Sequence, residues 1–310
     1  MLFNCSKCSA VFDTRTQMDR AGFCPACGRA LAGEMSGQNI NGYVILAELG
    51  RGSNGAVYLV NQICLDREAA FKILPEAFAR NQDDVIHFLT EARATAKLSH
   101  AHIVQAIEAG VSSCGRYFFA MELVDGETIE KQLEDFGALK YSTAITIARK
   151  ISSAMEYAWD TCRMIHGDIK PANIILTSAG EPKLADLGLA QFDGASTFEQ
   201  ATPLYISPEI ASGRTDIDFR ADIYSFGIML YEMFAGEPPF FDLEPEKVIK
   251  MHLEDEPEPL ERRLGFFDPG LAAFIDSMIA KKREARPSSW HKVTEFLRRY
   301  DIAALLEETQ

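Results

Sequence analysis

Four cysteines fall as two C-x-x-C pairs near the start of the chain, Cys5 with Cys8 and Cys24 with Cys27. Each pair can sit on a tight knuckle that turns two sulfurs toward one point. Two knuckles brought together make the four-sulfur tetrahedron that Zn²⁺ favours. A redox pair is the alternative, but it belongs beside a strand–helix–strand pattern that this segment lacks. Rubredoxin-like iron would call for a redox partner domain, and the rest of the chain offers none. A four-cysteine site keeps no open metal position, so the expected role is structural support or protein docking rather than catalysis.

A second set of residues is suited to handling phosphate. Gly50-Arg-Gly52-Ser-Asn-Gly55 stands between two β-rich stretches. A dinucleotide fingerprint of this form needs a helix after it, whereas Ala-Val-Tyr-Leu-Val follows here. A strand–turn–strand setting instead lets backbone N–H groups fold over the phosphates of ATP. Lys72 ends the stretch Ala69-Ala-Phe-Lys, and Glu91 in the next helical segment makes it a candidate ion pair for anchoring α- and β-phosphates. In His166-Gly-Asp168-Ile-Lys170-Pro-Ala-Asn173, Asp168 would accept or orient the proton of an attacking hydroxyl. Lys170 would neutralise the moving phosphoryl group, and Asn173 offers an amide oxygen to a hard cation. Asp186 of Asp186-Leu-Gly188 would bind Mg²⁺ (or Mn²⁺) bridging the phosphates. Each of these residues alone could be an exposed turn; their order and gaps together point to phosphoryl transfer.

The elements that must position them follow from periodicity. Residues 43–49 and 56–60 read as a hairpin around the glycine-rich turn, and 68–74 as a third strand closed by Pro75. Residues 83–98 read as a helix, with Val85, Phe88, Leu89, Ala92 and Ala96 on one face. Residues 103–109 and 117–123 add two strands. After Gly126 the chain turns helical, with Ser142 as the expected N-cap and Ile147, Ile151, Ala154 and Ala158 as an apolar stripe. Short strands are expected around 174–176 and 182–185, and helices from Asp218 onward. The organisation expected is a zinc ribbon over 1–30, a small polar linker over 31–41, a large domain over 42–300 and a tail over 301–310.

At this point the sequence resembles a Hanks-type protein kinase, from about Gly42 to Tyr300. The motifs that carry the resemblance are the glycine-rich loop, Lys72, Glu91, H-x-D-x-K-x-x-N, D-x-G, Ser207-Pro-Glu209, Asp222 and Arg286. The resemblance implies an α+β, bilobal fold: a small antiparallel sheet with one helix over about 42–124, and a mostly helical lobe over about 125–300. It implies MgATP bound between the lobes, with Leu49, Val57, Ala70 and Ile175 lining the adenine pocket, Met121 as gatekeeper and Glu122 to Val124 as the hinge. Plain core packing would serve these apolar positions equally well. It implies that Arg286 pairs with Glu209, that Asp222 braces the catalytic-loop backbone, and that Thr202 bridges Asp168 and Lys170. Lys170 and Thr202 favour Ser/Thr acceptors on protein substrates. Gly167 stands where the family has an arginine that captures a phosphorylated activation loop, so dependence on phosphorylation at Ser196 or Thr197 is not expected. Leu187 in place of Phe is a mild change.

Two other readings compete. The His-Gly-Asp form also resembles aminoglycoside and choline phosphotransferases, which leaves Lys170, Thr202, Ser207-Pro-Glu209, Asp222 and Arg286 unexplained. A scaffold-type pseudokinase usually lacks the lysine, an aspartate or the asparagine, and all are present here.

Bulk properties narrow the class. The chain has 310 residues and a formal net charge of −14, from 31 Lys plus Arg against 45 Asp plus Glu. Such a surface repels phosphate backbones, so nucleic acid and anionic membranes are poor partners. No long apolar run or signal-peptide layout occurs, and the seven cysteines do not suggest a secreted disulfide framework. A reducing, cytoplasmic setting is expected, with Cys64, Cys114 and Cys162 as buried thiols.

Overall fold

A computed structural model describes residues 2–5, 7–14, 22–52, 55–75, 79–186, 191–192 and 202–307. The side chains of residues 2, 52, 83, 84, 87, 91, 191–192 and 301–307 fall outside that description. The chain divides into two compact units, Met1–Ala96 with Val104–Asp125, and Lys97–Ile103 with Gly126–Gln310.

The first unit opens with a small antiparallel pair, β1 (Leu2–Asn4) and β2 (Val11–Asp13). A six-stranded antiparallel sheet follows, built from β3 (Asn39–Ile40), β4 (Tyr43–Gly52), β5 (Gly55–Gln62), β6 (Arg67–Ile73), β7 (Ala106–Val111) and β8 (Tyr117–Met121), in the order β3-β4-β5-β6-β8-β7. Between β6 and β7 runs α1 (Gln82–Ala96). Alternation along the strands sends residues to opposite faces. One face packs through Leu74 and Phe119 on Phe88 and Ala92 of α1. The other buries Tyr43, Tyr58, Phe71 and Phe118, with the rings of Phe71 and Phe118 stacked at 5.0 Å.

Residues 31–41, expected as a linker, help to cover that second face. They form a 3₁₀ turn over Gly33–Met35 and then β3, and they bury Ala32 and Ile40 in the same cluster as Phe71 and Phe118. Arg116 donates to the side-chain oxygen of Gln38 at 2.9 Å and ties the segment to the β7–β8 turn. Polar composition hid this because Ala32, Met35 and Ile40, a minority of the segment, are the residues turned to this face. Strand β7 begins three residues later than expected, since Ile103 bridges to Leu184 in the second unit.

The second unit contains β9 (Gly126–Thr128), α2 (Ile129–Phe136), α3 (Tyr141–Cys162), β10 (Met164–Ile165), β11 (Ile174–Thr177) and β12 (Pro182–Leu184). It continues through α4 (Pro208–Ala211), α5 (Arg220–Ala235), α6 (Pro245–Glu254), α7 (Leu260–Leu264), α8 (Pro269–Met278) and α9 (Trp290–Glu307). Its core joins Ile147, Ile151 and Met155 of α3 to Phe226 and Leu230 of α5, Ile275 of α8 and Trp290 of α9. Helix α5 is apolar on every side and is buried accordingly. Lys140, not Ser142, caps α3, and no side-chain bond is made there. Helix α9 runs on through Glu307, into the stretch expected as a tail.

Cys64 and Cys114 are exposed rather than buried, and Cys162 is half-buried. Cys64 lies in the Ile63–Leu65 turn and Cys114 in the turn before β8, so neighbouring apolar residues did not put them in a core. No helix among the described residues is long and apolar enough to cross a membrane.

Ile40 is 3% exposed within the sheet cluster. Ile40→Ala should lower unfolding stability by about 2–4 kcal/mol in a urea titration, the range for deleting a packed aliphatic side chain. A true linker residue would show almost no change.

Candidate active site and metal centre

The segment between β10 and β11 carries Asp168, Lys170 and Asn173, and its backbone is held from below. Asp222, at the start of α5, accepts the N–H of His166 and of Gly167, one on each carboxylate oxygen and both at 2.8 Å. Burial pushes the Asp222 carboxyl up to about 7, against the downward pull of those two N–H groups. With both oxygens accepting, the geometry serves the ionised form. Gly167 has φ of 79°, in the left-handed region that costs a residue with a Cβ roughly 1 kcal/mol or more. The sequence therefore meets the turn's demand with glycine.

Around Asp168 three side chains converge. Thr202 donates its hydroxyl to Oδ1 at 2.7 Å, and the Lys170 ammonium lies 2.6 Å from Oδ2. Lys170 also donates to the Thr202 oxygen at 2.7 Å, which closes the ring. Asn173 gives its amide nitrogen to the Asp168 carbonyl at 2.8 Å and to Oδ2 at 3.2 Å. That leaves the amide oxygen as the end able to serve a cation. The β11–β12 hairpin pairs Ile174 with Leu184, and Ala185 donates to the Asn173 carbonyl. Asp186, exposed and held at φ of 55°, is thereby set beside Asn173 at the hairpin's open end. A carboxylate and an amide oxygen are donors of the kind Mg²⁺ takes.

The segment carrying Thr202 has its own supports, which sequence reasoning did not find. Ser225 donates to the Tyr205 carbonyl, and Tyr205 donates to Glu232, each at 2.7 Å. His252 of α6 donates from Nε2 to the Leu204 carbonyl at 3.1 Å and accepts at Nδ1 from the Tyr224 hydroxyl at 2.9 Å. Glu209 and Arg286 form a buried two-pronged ion pair at 2.6 and 2.8 Å. Only the last of these partnerships left a signal in the sequence.

In the first unit, antiparallel register puts Val57, Lys72 and Phe119 in one row and Leu59, Ala70 and Met121 in the next but one. Lys72 is 5% exposed and shares its sheet face with the residues that pack on α1, the helix carrying Glu91. The Glu91 side chain, Leu187, Gly188, Ser196 and Thr197 lie outside the described residues. Gly52 and Gly55 face each other at the end of the β4–β5 hairpin. Leu49 is half-buried, while Glu122 takes the Gln105 N–H on its carboxylate and gives its own N–H to the Gln105 carbonyl. Val124 lies one residue before the end of this unit, and Ile175 lies in the second unit, opposite Thr128 and Lys183.

The four cysteines near the N-terminus come together. Their sulfurs all lie within 4.8 Å of one another, with Cys5–Cys27 and Cys8–Cys24 both at 3.7 Å. A disulfide would need about 2.0 Å, whereas a zinc tetrahedron with Zn–S near 2.3 Å has edges of about 3.8 Å. The residues therefore fit a tetrahedral metal. Ser9 donates to the Cys5 carbonyl and Gly28 to the Cys24 carbonyl, closing the two knuckles. Backbone N–H groups of Lys7 and Cys8 draw the Cys5 thiol down to about 6, while, against the pull of the Ala10 N–H, burial and the neighbouring sulfurs push Cys8 up to about 12, so the four thiols titrate as one set rather than singly.

A protein kinase domain model matches residues 43–298. The chain belongs to the protein kinase family. It is 37% identical over 252 residues to a probable serine/threonine-protein kinase of Clostridium perfringens, covering 80% of this chain and 36% of that protein. It is 32% identical to the serine/threonine-protein kinase PknB of Mycobacterium leprae, covering 81% of this chain and 41% of that one. The chain thus spans well under half the length of these curated relatives. The kinase domain of Mycobacterium tuberculosis PknI is similar in structure, with a TM-score of 0.70 and 28% identity over 88% of this chain and all of that one. The expected α+β, bilobal kinase fold and Ser/Thr kinase domain stand, and neither the small-molecule phosphotransferase nor the scaffold reading is favoured.

In this kinase domain His252 is the buried titratable group behind the Thr202 segment. Burial, helped by the Lys281 ammonium, pushes it from the usual 6.5 down to about 4. A folded value below the unfolded one gives stability that is full above about 6.5 and lost as pH falls toward 4. Thermal melts between pH 7 and 4 should therefore show an acid-side loss that His252→Gln flattens.

Proposed function

We propose that this protein is a cytoplasmic Ser/Thr protein kinase that transfers the γ-phosphoryl group of ATP to hydroxyls of protein substrates, with a structural zinc in its N-terminal ribbon. The observation that carries the reading is the closed ring of Asp168, Lys170 and Thr202, with Asn173 bonded to the same aspartate. A substrate hydroxyl in place of the Thr202 donor would find Asp168 ready to accept its proton. Its oxygen attacks the γ-phosphorus, the bond to the β,γ-bridging oxygen breaks, and ADP leaves. Lys170 offsets the negative charge on the transferring group, and Lys72, paired with Glu91, would hold the α- and β-phosphates. Asn173 and Asp186 would hold Mg²⁺ or Mn²⁺, which supplies charge neutralisation across the phosphates. Leu49, Val57, Ala70, Met121, Glu122, Val124 and Ile175 would receive the adenine. Catalysis of this kind rests on positioning and charge, and the bonds around Asp168 supply positioning in advance.

Gly167 supports activity without a phosphorylated loop, since no arginine stands beside Asp168 to capture one. Two measurements follow. Asp168→Asn and Asp186→Ala should each lower phosphorylation of a protein substrate by about 10²–10⁴-fold while melting temperatures stay near wild type; normal turnover in Asp186→Ala would sink the metal assignment. Elemental analysis of the protein purified under reducing conditions should find one zinc per chain, and iron in its place would refute the zinc reading.

A further inference from the structure

Strand β4 is where the ribbon and the glycine-rich loop meet. The ribbon's own core is small: Cys5, Phe12 and Cys24 are buried, with Phe3, Cys27 and Leu31 packed on them. Phe3 and Leu31 serve twice. They also pack on Leu46, Ala47 and Leu59 of the sheet, the cluster against which Leu49 rests. Leu49 is the residue before Gly50, so the ribbon's apolar contact and the loop's first residue share one support.

The backbone makes the same connection. Gly22 approaches β4 so closely that a Cβ there would overlap the Leu46 carbonyl. The Leu31 carbonyl accepts the N–H of Glu48 at 3.2 Å. Strand β4 is irregular at this place, its pairing with β5 slipping between Ile45 and Ala47 and again between Glu48 and Gly50. Two slips bend and loosen a strand, and the Leu31 bond falls on the residue just before the second. A groove of about 820 Å³, lined by Phe3, Arg29, Glu34, Leu49, Arg51 and Tyr58 among others, runs beside these contacts. The bracing of β4 from this side thus rests on few residues.

We propose that Leu31, with Phe3 and Gly22, is a positioning residue for the nucleotide-binding loop, and that metal in the four-cysteine site sets nucleotide affinity through it. The metal half of this rests on the zinc reading above. A module with so small a core depends on its metal to stay folded. When the metal leaves, Leu31 and Phe3 lose the knuckles that hold them, and the bend in β4 loses its outside partner. Nucleotide must then order the loop itself, so its apparent affinity falls. Couplings of this sort span about 5–150-fold, and a contact of this size is expected to give roughly tenfold. The groups that act on the hydroxyl lie in the other unit, so kcat is left nearly unchanged.

The test uses the full chain in reducing buffer. Zinc-loaded, chelator-stripped and zinc-restored protein are compared for zinc content, Kd for a fluorescent ADP analogue, KM for ATP, kcat, and hydrogen exchange over residues 43–60. The expected result is a roughly tenfold rise in Kd and KM on stripping, kcat within about twofold, faster exchange over 43–52, and reversal by zinc. Leu31→Ala in the zinc-loaded protein should raise KM while zinc is retained, with Leu31→Met restoring it. This variant also covers the case in which stripping unfolds more than the ribbon. A lower melting temperature with KM unmoved in Leu31→Ala, zinc still bound, would reduce the contact to plain packing and overturn the positioning role. Purified protein without zinc, and with Leu31→Ala still raising KM, would instead overturn the zinc reading and the metal dependence but not the positioning.

Discussion

The geometry around Asp168 depends first on the buried carboxylate of Asp222. Asp222 sits at the start of α5, a helix whose buried residues run along all its sides. An ionised group in such a place is costly unless its lone pairs are met. Here they are met by two consecutive backbone N–H groups, those of His166 and Gly167. The cost of burial becomes a constraint, because the catalytic loop must keep both N–H groups pointing down at α5. That fixes the Gly167 turn, and the turn fixes the direction in which Asp168 leaves the chain. Glu209 and Arg286 apply the same logic further along, a buried pair joining α4 to the segment after α8. Arg286 also donates to the Arg220 carbonyl at 2.8 Å, which ties that pair to the start of α5.

Asp168 is then surrounded by donors rather than left to find them. Lys170 and Thr202 bond to it and to each other, so rotating any one of the three costs at least two contacts. Thr202 owes its place to supports that are distant in sequence, namely Ser225 and Glu232 on α5 through Tyr205, and His252 on α6 through Leu204. The acceptor side of the site is therefore anchored to the same helix that anchors the catalytic loop. A shift of α5 would move both together and leave their mutual distances intact.

What the sequence made legible follows from these distances along the chain. Asp168, Lys170 and Asn173 are close neighbours, and their spacing by itself suggests a shared task. Strands β4, β5 and β6 are β-rich on either side of a glycine turn and could be read from that, and the apolar stripe of α3 is fully buried as its spacing implies. The supports of Thr202 were not legible, because Tyr224 in an apolar helix and His252 on the buried side of a mostly polar one look like ordinary residues until their partners are seen. Residues 31–41 misled for the opposite reason. Their polar majority faces outward, and the sheet face they cover is recorded in Tyr43, Phe71 and Phe118, far from the segment itself. Cys64 and Cys114 misled because turns can be short enough to sit within apolar stretches and still project into water.

The two units differ in what stabilises their functional parts, and the difference has a thermodynamic consequence. In the second unit the loop carrying Asp168 hangs from a core that joins α3, α5, α8 and α9. In the first unit the glycine-rich loop is the end of a hairpin with two register slips, and such strand ends open at far lower free energy than a packed core. Whatever leans on that hairpin shifts the loop's local equilibrium without touching the catalytic groups. The ribbon is the element that leans on it, and its own buried core is small, built around four cysteines whose sulfurs lie within 4.8 Å of one another. The glycine-rich hairpin and the loop carrying Asp168 are accordingly held by different contacts, the first by those of β4 with the ribbon and the second by the packing around α5.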